Sequence, residues 1–171
     1  VVSMDDVGLD ELEGHLDGEV ANEGSGRHLT FQLAGQVYGI ELRRVREIVR
    51  AQRATPVPDV PDYVLGVMNL RGTVVPVVDA RRRMGIQARE ADERTCVIVC
   101  SYEGEGVGVV VDTVCDVIDV DEADVVEARS EVSTRNAMIR GLVRTTAGVR
   151  ILLCLDRLLE RQARSDESVA A

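Results

Sequence analysis

The sequence predicts a mainly β protein: two small β-barrels lying side by side, produced by an internal duplication. Three observations lead there. Valine crowds the middle of the chain and aromatic residues make up only 2% of it, so a core must be built from Val, Leu, Ile and Ala, a composition that favours strands. Second, the pattern restarts. Gly39-Ile40 followed by Val45, Glu47 and Ile48 is matched, 69 residues on, by Gly108-Val109 followed by Val114, Asp116 and Val117. Val64-x-Gly66-Val67 is matched at an offset of 75 by Ile139-x-Gly141-Leu142, and VVPVVD (74–79) at an offset of 77 by ILLCLD (151–156). The offset grows only where loops intervene. Third, a repeat of about five short strands would leave a long edge exposed as an open sheet, and closing it into a barrel removes most of that edge.

The elements follow in order. Residues 1–26 form an acidic leader, with Asp5, Asp6, Asp10, Glu11, Glu13, Asp17, Glu19 and Glu23 and no Lys or Arg, and read as a flexible tail. The chain opens on Val1, so its start is either Met4 or part of a longer protein. HLTFQL (28–33) alternates Leu29, Phe31 and Leu33 on one face, a half-buried strand that AGQ turns into VYGIEL. LRRVREIV (42–49) spaces Leu42, Val45, Ile48 and Val49 as a helix of about two turns would. ATPVPDVP (54–61) is proline-punctuated loop, and DYVLGVMNLRGTVVPVVD (62–79) a strand, a turn at Arg71-Gly72 and a strand. DARRRMG closes the first half with a short helix that Gly85 can cap. After the polar linker QAREADE, TCVIVCS is a strand, YEGEG a turn and VGVVVDTVCDVIDV a long strand or strand plus turn. IRGLVRTTAGVRILLCLD (139–156) is a second hairpin, RLLERQ a closing helix, and residues 161–171 a fraying tail. The first barrel is expected over about 28–85 and the second over about 94–156, with strand exchange near their seam allowed.

Composition excludes several functions. The net charge is −10 and every basic residue is Arg, so there is neither the basic excess of a nucleic-acid binder nor the lysine of a phosphate loop. Arg81-Arg82-Arg83 is read as the solvated face or end of a short helix. GEGVG (104–108) joins two strands and is read as a hairpin turn. No G-x-S-x-G elbow supports His15 or His28 as a catalytic base. The four cysteines sit among aliphatics as buried thiols, with Cys96 and Cys100 on one strand face, and no metal or cofactor site is expected. No apolar run approaches the ~20 residues needed to span a bilayer, and the chain reads as soluble and cytoplasmic. An enzyme is not expected.

What remains is surface recognition. Glu47 follows an apolar stripe and Arg71 sits at a hairpin tip in the same half. Two readings stay open on the residues alone: an ion pair beside an apolar patch, or two separately solvated charges. Arg suits the first because its planar fork holds one carboxylate and still offers donors outward.

YGIELRRVREI, PVPDVPDYVLGVMNLRGTVVPVVD, VGVVVDTVCDVIDV and IRGLVRTTAGVRILLCLD, in that order, resemble the CheW-like chemotaxis adaptor family, over about residues 28–160. The resemblance implies paired five-stranded SH3-like barrels with a few short helices. It implies a non-catalytic adaptor that couples methyl-accepting chemoreceptors, through their cytoplasmic tip, to the regulatory domain of the histidine kinase CheA. Other CheW-like domains join it in rings, and the adaptor is expected at membrane-associated receptor clusters through its partners. In that family the acid of V-x-E-I and the Arg of NLRG face each other and are associated with partner binding. By motif they fall on Glu47 and Arg71, with Val45, Ile48, Gly66, Asn69 and Leu70 in the same neighbourhood. The alternatives are a CheW-like module of a larger signalling protein and a paralogous adaptor for pilus or gliding motility. The acidic leader is longer than a minimal adaptor needs.

Overall fold

The computed structural model describes residues 25–127 and 137–160. The expected tails over 1–24 and 161–171 lie outside these residues, but residues 25–26, assigned above to the leader, already belong to a strand. Eleven strands are described: β1 (Ser25–Leu33), β2 (Gln36–Glu41), β3 (Val45–Arg50), β4 (Val64–Leu70), β5 (Thr73–Asp79), β6 (Cys96–Tyr102), β7 (Glu105–Val111), β8 (Thr113–Asp121), β9 (Val125–Glu127), β10 (Ile139–Thr145) and β11 (Gly148–Leu153). Short helices α1 (Ala80–Arg83) and α2 (Leu155–Leu159) and 3-10 turns at Leu42–Arg44 and Glu122–Asp124 are also described, and residues 137–138 are helical.

The strands form two sheets, ordered β3-β6-β7-β5-β4 and β8-β1-β2-β11-β10-β9. The second thus has six strands rather than five, the extra one being the three-residue β9. Sheets and repeats do not divide at the same residues. Hairpin β1–β2 lies in the sheet of β8–β11, and hairpin β6–β7 in the sheet of β3–β5. The exchange is reciprocal: β5 runs parallel to β7, and β11 parallel to β2, so the last strand of each half flanks the second strand of the other. The chain passes from one sheet to the other at Leu42–Arg44 and again at Asp112.

Both sheets close. β8 and β9 are opposite edges of the six-stranded sheet, yet only Glu122–Asp124 separate them. Laid flat at ~4.8 Å per strand those edges would be ~24 Å apart, whereas the linking residues reach ~14 Å at most. The sheet must curl until its edges meet, and β9 pairs with β10 at Leu142↔Val126. In the five-stranded sheet the segment after β3 makes the equivalent crossing, where Thr55 and Val67 exchange N–H···O bonds of 2.7 and 2.9 Å. Gly66 and Gly141, aligned by the sequence repeat, lie under these two crossings. A Cβ on Gly66 would sit 2.0 Å from the Thr55 carbonyl oxygen, and one on Gly141 2.7 Å from that of Val126.

The largest core is the seam between the barrels. Leu29, Phe31 and Leu33 of β1, Tyr38 and Ile40 of β2, and Cys96, Ile98 and Cys100 of β6 meet there with residues of both helices. The alternate residues of β6, Val97 and Val99, point into the five-stranded barrel beside Met68, Val75, Val77 and Val110. Being buried on both faces, β6 reads as an unbroken apolar run. Val120, Val143 and Leu152 fill the six-stranded barrel. Burial pushes the Cys100 thiol up to about 12, so it packs as a small hydrophobe.

Two expectations fail for identifiable reasons. LRRVREIV is a 3-10 turn followed by β3, not a two-turn helix. A bulge between Val45 and Glu47 turns the strand by one residue, so Val45 and Ile48 both face the seam and imitate helical spacing. The arginine run is not a solvated face either: Arg81 is 4% and Arg83 8% exposed, and only Arg82 is open to solvent. Arg83 donates to the Leu158 and Arg157 carbonyls of α2 and lies over the Tyr63 ring, 5.0 Å from its centroid.

Candidate docking groove on the five-stranded barrel

The β4–β5 hairpin turns in two residues. Arg71 (φ 51°) and Gly72 (φ 86°) both take left-handed backbone, the type I′ geometry that matches strand twist. Arg71 lacks the freedom of glycine, and the Asn69 side chain helps hold the turn by accepting from the Gly72 N–H at 2.8 Å. The tip therefore holds Arg71 clear of the barrel, its side chain 74% exposed.

Glu47 reaches the tip from β3. Its Oε2 lies 2.9 Å from Arg71 Nη1, so the two charges form an ion pair and are not separately solvated. Glu47 is only 17% exposed, and its other oxygen, Oε1, is buried with no hydrogen-bond partner in the structure.

The pair stands at the rim of a groove of about 570 Å³. β5 and β7 hydrogen-bond only where Val77–Asp79 meet Gly108–Val110. Nearer their outer ends, Thr73–Pro76 and Glu105–Gly106 line the groove's two walls. Pro76 has no N–H for a neighbouring strand. Val74, 65% exposed, supplies an apolar wall, and Arg46 is fixed on the other side by donating to the Ser101 hydroxyl and the Gly104 carbonyl, both at 3.2 Å.

Of the residues singled out from the sequence, Glu47, Leu70 and Arg71 line this groove and Asn69 shapes its turn. Val45 and Ile48 are buried in the seam, where they anchor β3, and Gly66 lies under the strand crossing. Sequence reasoning missed Arg46 and Val74, and it read the β6–β7 turn correctly as a hairpin turn but gave it no part in the site. The uniformly apolar VVPVVD gives no alternation from which the exposure of Val74 could be read. Among the described residues no group of three or more His, Cys, Asp or Glu gathers as a metal site, and no helix is long and apolar enough to cross a membrane.

Comparison with known proteins gives concordant results. Residues 27–163 match the family model for the CheW-like domain. The chain is 42% identical over 101 residues to the chemotaxis protein CheW of Rhizobium meliloti, a match covering 58% of this chain and 65% of that protein, just under two thirds of its length. It is 33% identical over 135 residues to the chemotaxis protein CheW of Klebsiella aerogenes, covering 78% of this chain and 81% of the relative. The crystal structure of the scaffolding protein TtCheW from Thermoanaerobacter tengcongensis superposes with a TM-score of 0.73 at 31% identity, covering 80% of this chain and 94% of that one.

Proposed function

This chain belongs to the CheW-like domain family, and from that premise we propose that it is a non-catalytic chemotaxis adaptor. It couples the cytoplasmic tip of chemoreceptors to the regulatory domain of the histidine kinase CheA, beside other CheW-like domains, and works in the cytoplasm at receptor clusters. The observation that carries the reading is the Glu47–Arg71 pair with its unfilled hydrogen-bonding capacity. The exposed Arg71 guanidinium spends one nitrogen on Glu47 Oε2, which holds it in place, and directs others outward. A partner surface offering a carbonyl or carboxylate accepts from those donors, while Val74 and Leu70 bury aliphatic area next to them. Val45, Ile48 and Gly66 contribute by holding β3 and β4 at the required spacing.

The test is co-sedimentation with receptor fragments and CheA, with kinase activity followed in parallel. Addition of the parent chain is expected to bring receptor and kinase into one pellet and change kinase activity. A chain that folds but sediments with neither partner rules the reading out.

A further inference from the structure

Apolar packing across the seam supplies most of the attraction between the barrels, and directional bonds where the chain crosses it add a further constraint on their angle. The two points where the chain crosses between sheets both carry charge pairs. At the first, Arg44 donates to the Ser101 carbonyl of the five-stranded sheet at 3.1 Å and to Asp156 of α2 at 2.6 Å. At the second, Asp112 is held from both sides. Its Oδ2 accepts from the Ala34 N–H, in the β1–β2 turn of the six-stranded sheet, at 2.7 Å. Its Oδ1 accepts from Arg81 Nη1, in α1 directly after β5 of the five-stranded sheet, at 2.8 Å. Arg81 in turn grips Asp79 with Nε and Nη2, each at 3.0 Å. Asp79 and Asp156 occupy equivalent places in the two repeats, at the offset of 77. The two crossings differ in environment: the side chains of Arg44 and Asp156 are 25% and 63% exposed, whereas those of Arg81, Asp79 and Asp112 are at most 5% exposed.

We infer that Asp112 and Arg81 are positioning residues that lock the two barrels at one relative orientation, so that docking faces on both move as a single rigid body. Charge-assisted bonds with fork geometry are directional, and burial removes the water that would let them slide. Each barrel offers something to hold in place: the first carries the groove, and the second exposes Val126 opposite Leu142 on its outer face. The consequence for assembly rests on the adaptor reading; the rigidity itself does not.

Amide residual dipolar couplings of the full chain in one alignment medium test the lock without any partner. One alignment tensor is expected to fit both barrels of the parent. Asp112→Asn, and Arg81→Lys, which keeps the charge but loses the fork, are each expected to require separate tensors for the two barrels. Val120→Ala, which loosens the interior of one barrel, and Arg44→Ala, at the open crossing, are expected to keep a single tensor. If Asp112→Asn does not fold, Arg81→Lys decides. A single tensor in the folded charge variants, or separate tensors in the Val120→Ala control, overturns the inference. With receptor fragment and kinase domain added, the same variants are expected to hold each partner alone within about twofold and to lose about tenfold in the three-component complex. Parent protein that shows a single tensor but binds neither partner refutes the adaptor reading and leaves the lock standing.

Discussion

Replacing Arg71 with Ala separates recognition from stability. The side chain is 74% exposed at the tip of a hairpin, and its ion pair with Glu47 is open to solvent on the Arg71 side. Screened pairs of this kind contribute about 0.2–1 kcal/mol. Glu47 is more enclosed, but its Oε2, the oxygen paired with Arg71, faces the groove, so losing Arg71 opens that oxygen to water. The left-handed φ of 51° adds no large difference, since Arg and Ala both lack the freedom of glycine. Arg71→Ala should therefore cost no more than ~1 kcal/mol, a fall of about 2–4 °C in Tm for a chain of this size. Assembly with receptor and kinase should fall much further, because the outward donors disappear. Differential scanning calorimetry and co-sedimentation, run on one preparation, read the two effects. Reversing both charges, Glu47→Arg with Arg71→Glu, tests the pairing itself: partial rescue of assembly relative to either single change is expected, and strict additivity would show that the contact does not operate. A fall in Tm above about 8 °C for Arg71→Ala, with binding lost only in proportion, would refute the reasoning by making Arg71 a fold residue.

Three further outcomes follow. Gly66→Ala should cost more than ~3 kcal/mol in urea unfolding, because φ is +136° and the new Cβ meets the Thr55 carbonyl at 2.0 Å, whereas Gly35→Ala, with nothing within 4 Å, should cost about 1 kcal/mol for its positive φ alone. Arg81→Met should lose about 3–5 kcal/mol by leaving Asp79 and Asp112 without their shared cation, while Arg82→Ala, which removes only a half-exposed bond to the Asp62 carbonyl and a 3.9 Å approach to Asp79, should cost no more than ~1 kcal/mol. His28 should make the fold acid-sensitive. Burial chiefly, and Arg140 secondarily, hold its pKa below 6.5 despite its bond to the Gly26 carbonyl and the nearby Glu41 and Glu122. Arg140 can only donate to Nε2, so the ring is neutral with its proton on Nδ1. The unfolded chain takes up this proton first as pH falls, so the stability is complete above pH 6.5 and declines below it toward the lowered folded pKa. Urea midpoints between pH 5 and 8 should show that slope, and His28→Gln should flatten it.

How much was legible in the sequence depends on how local each cause is. The Arg71-Gly72 turn was readable because its chemistry lies within four residues. The duplication was readable because a strand crossing demands glycine at both Gly66 and Gly141. The bulge at Val45–Glu47 was not, because one extra residue in a strand puts apolar positions three apart, the spacing a helix uses. Nor could the arginine run be placed: Arg81 answers to Asp112, 31 residues away, and Arg83 to the Leu158 carbonyl, 75 away. Strand exchange near the seam was allowed for, but which hairpins exchange was not readable, since both halves present the same apolar faces and the pattern does not say which sheet each hairpin joins. At the candidate site, the residues alone left the charged pair open and the family resemblance pointed to it, while the groove beside it depends on β5 and β7 parting, for which Pro76 is the one local sign.

The central claim is that a charged hairpin tip on a paired-barrel scaffold brings receptor and kinase together. Co-sedimentation of receptor fragments with CheA, in the presence of the parent chain and of the Arg71→Ala chain at matched concentration, tests it most directly. CheA should enter the receptor pellet with the parent and largely fail to do so with the variant. Equal recovery of CheA with both chains would contradict the account.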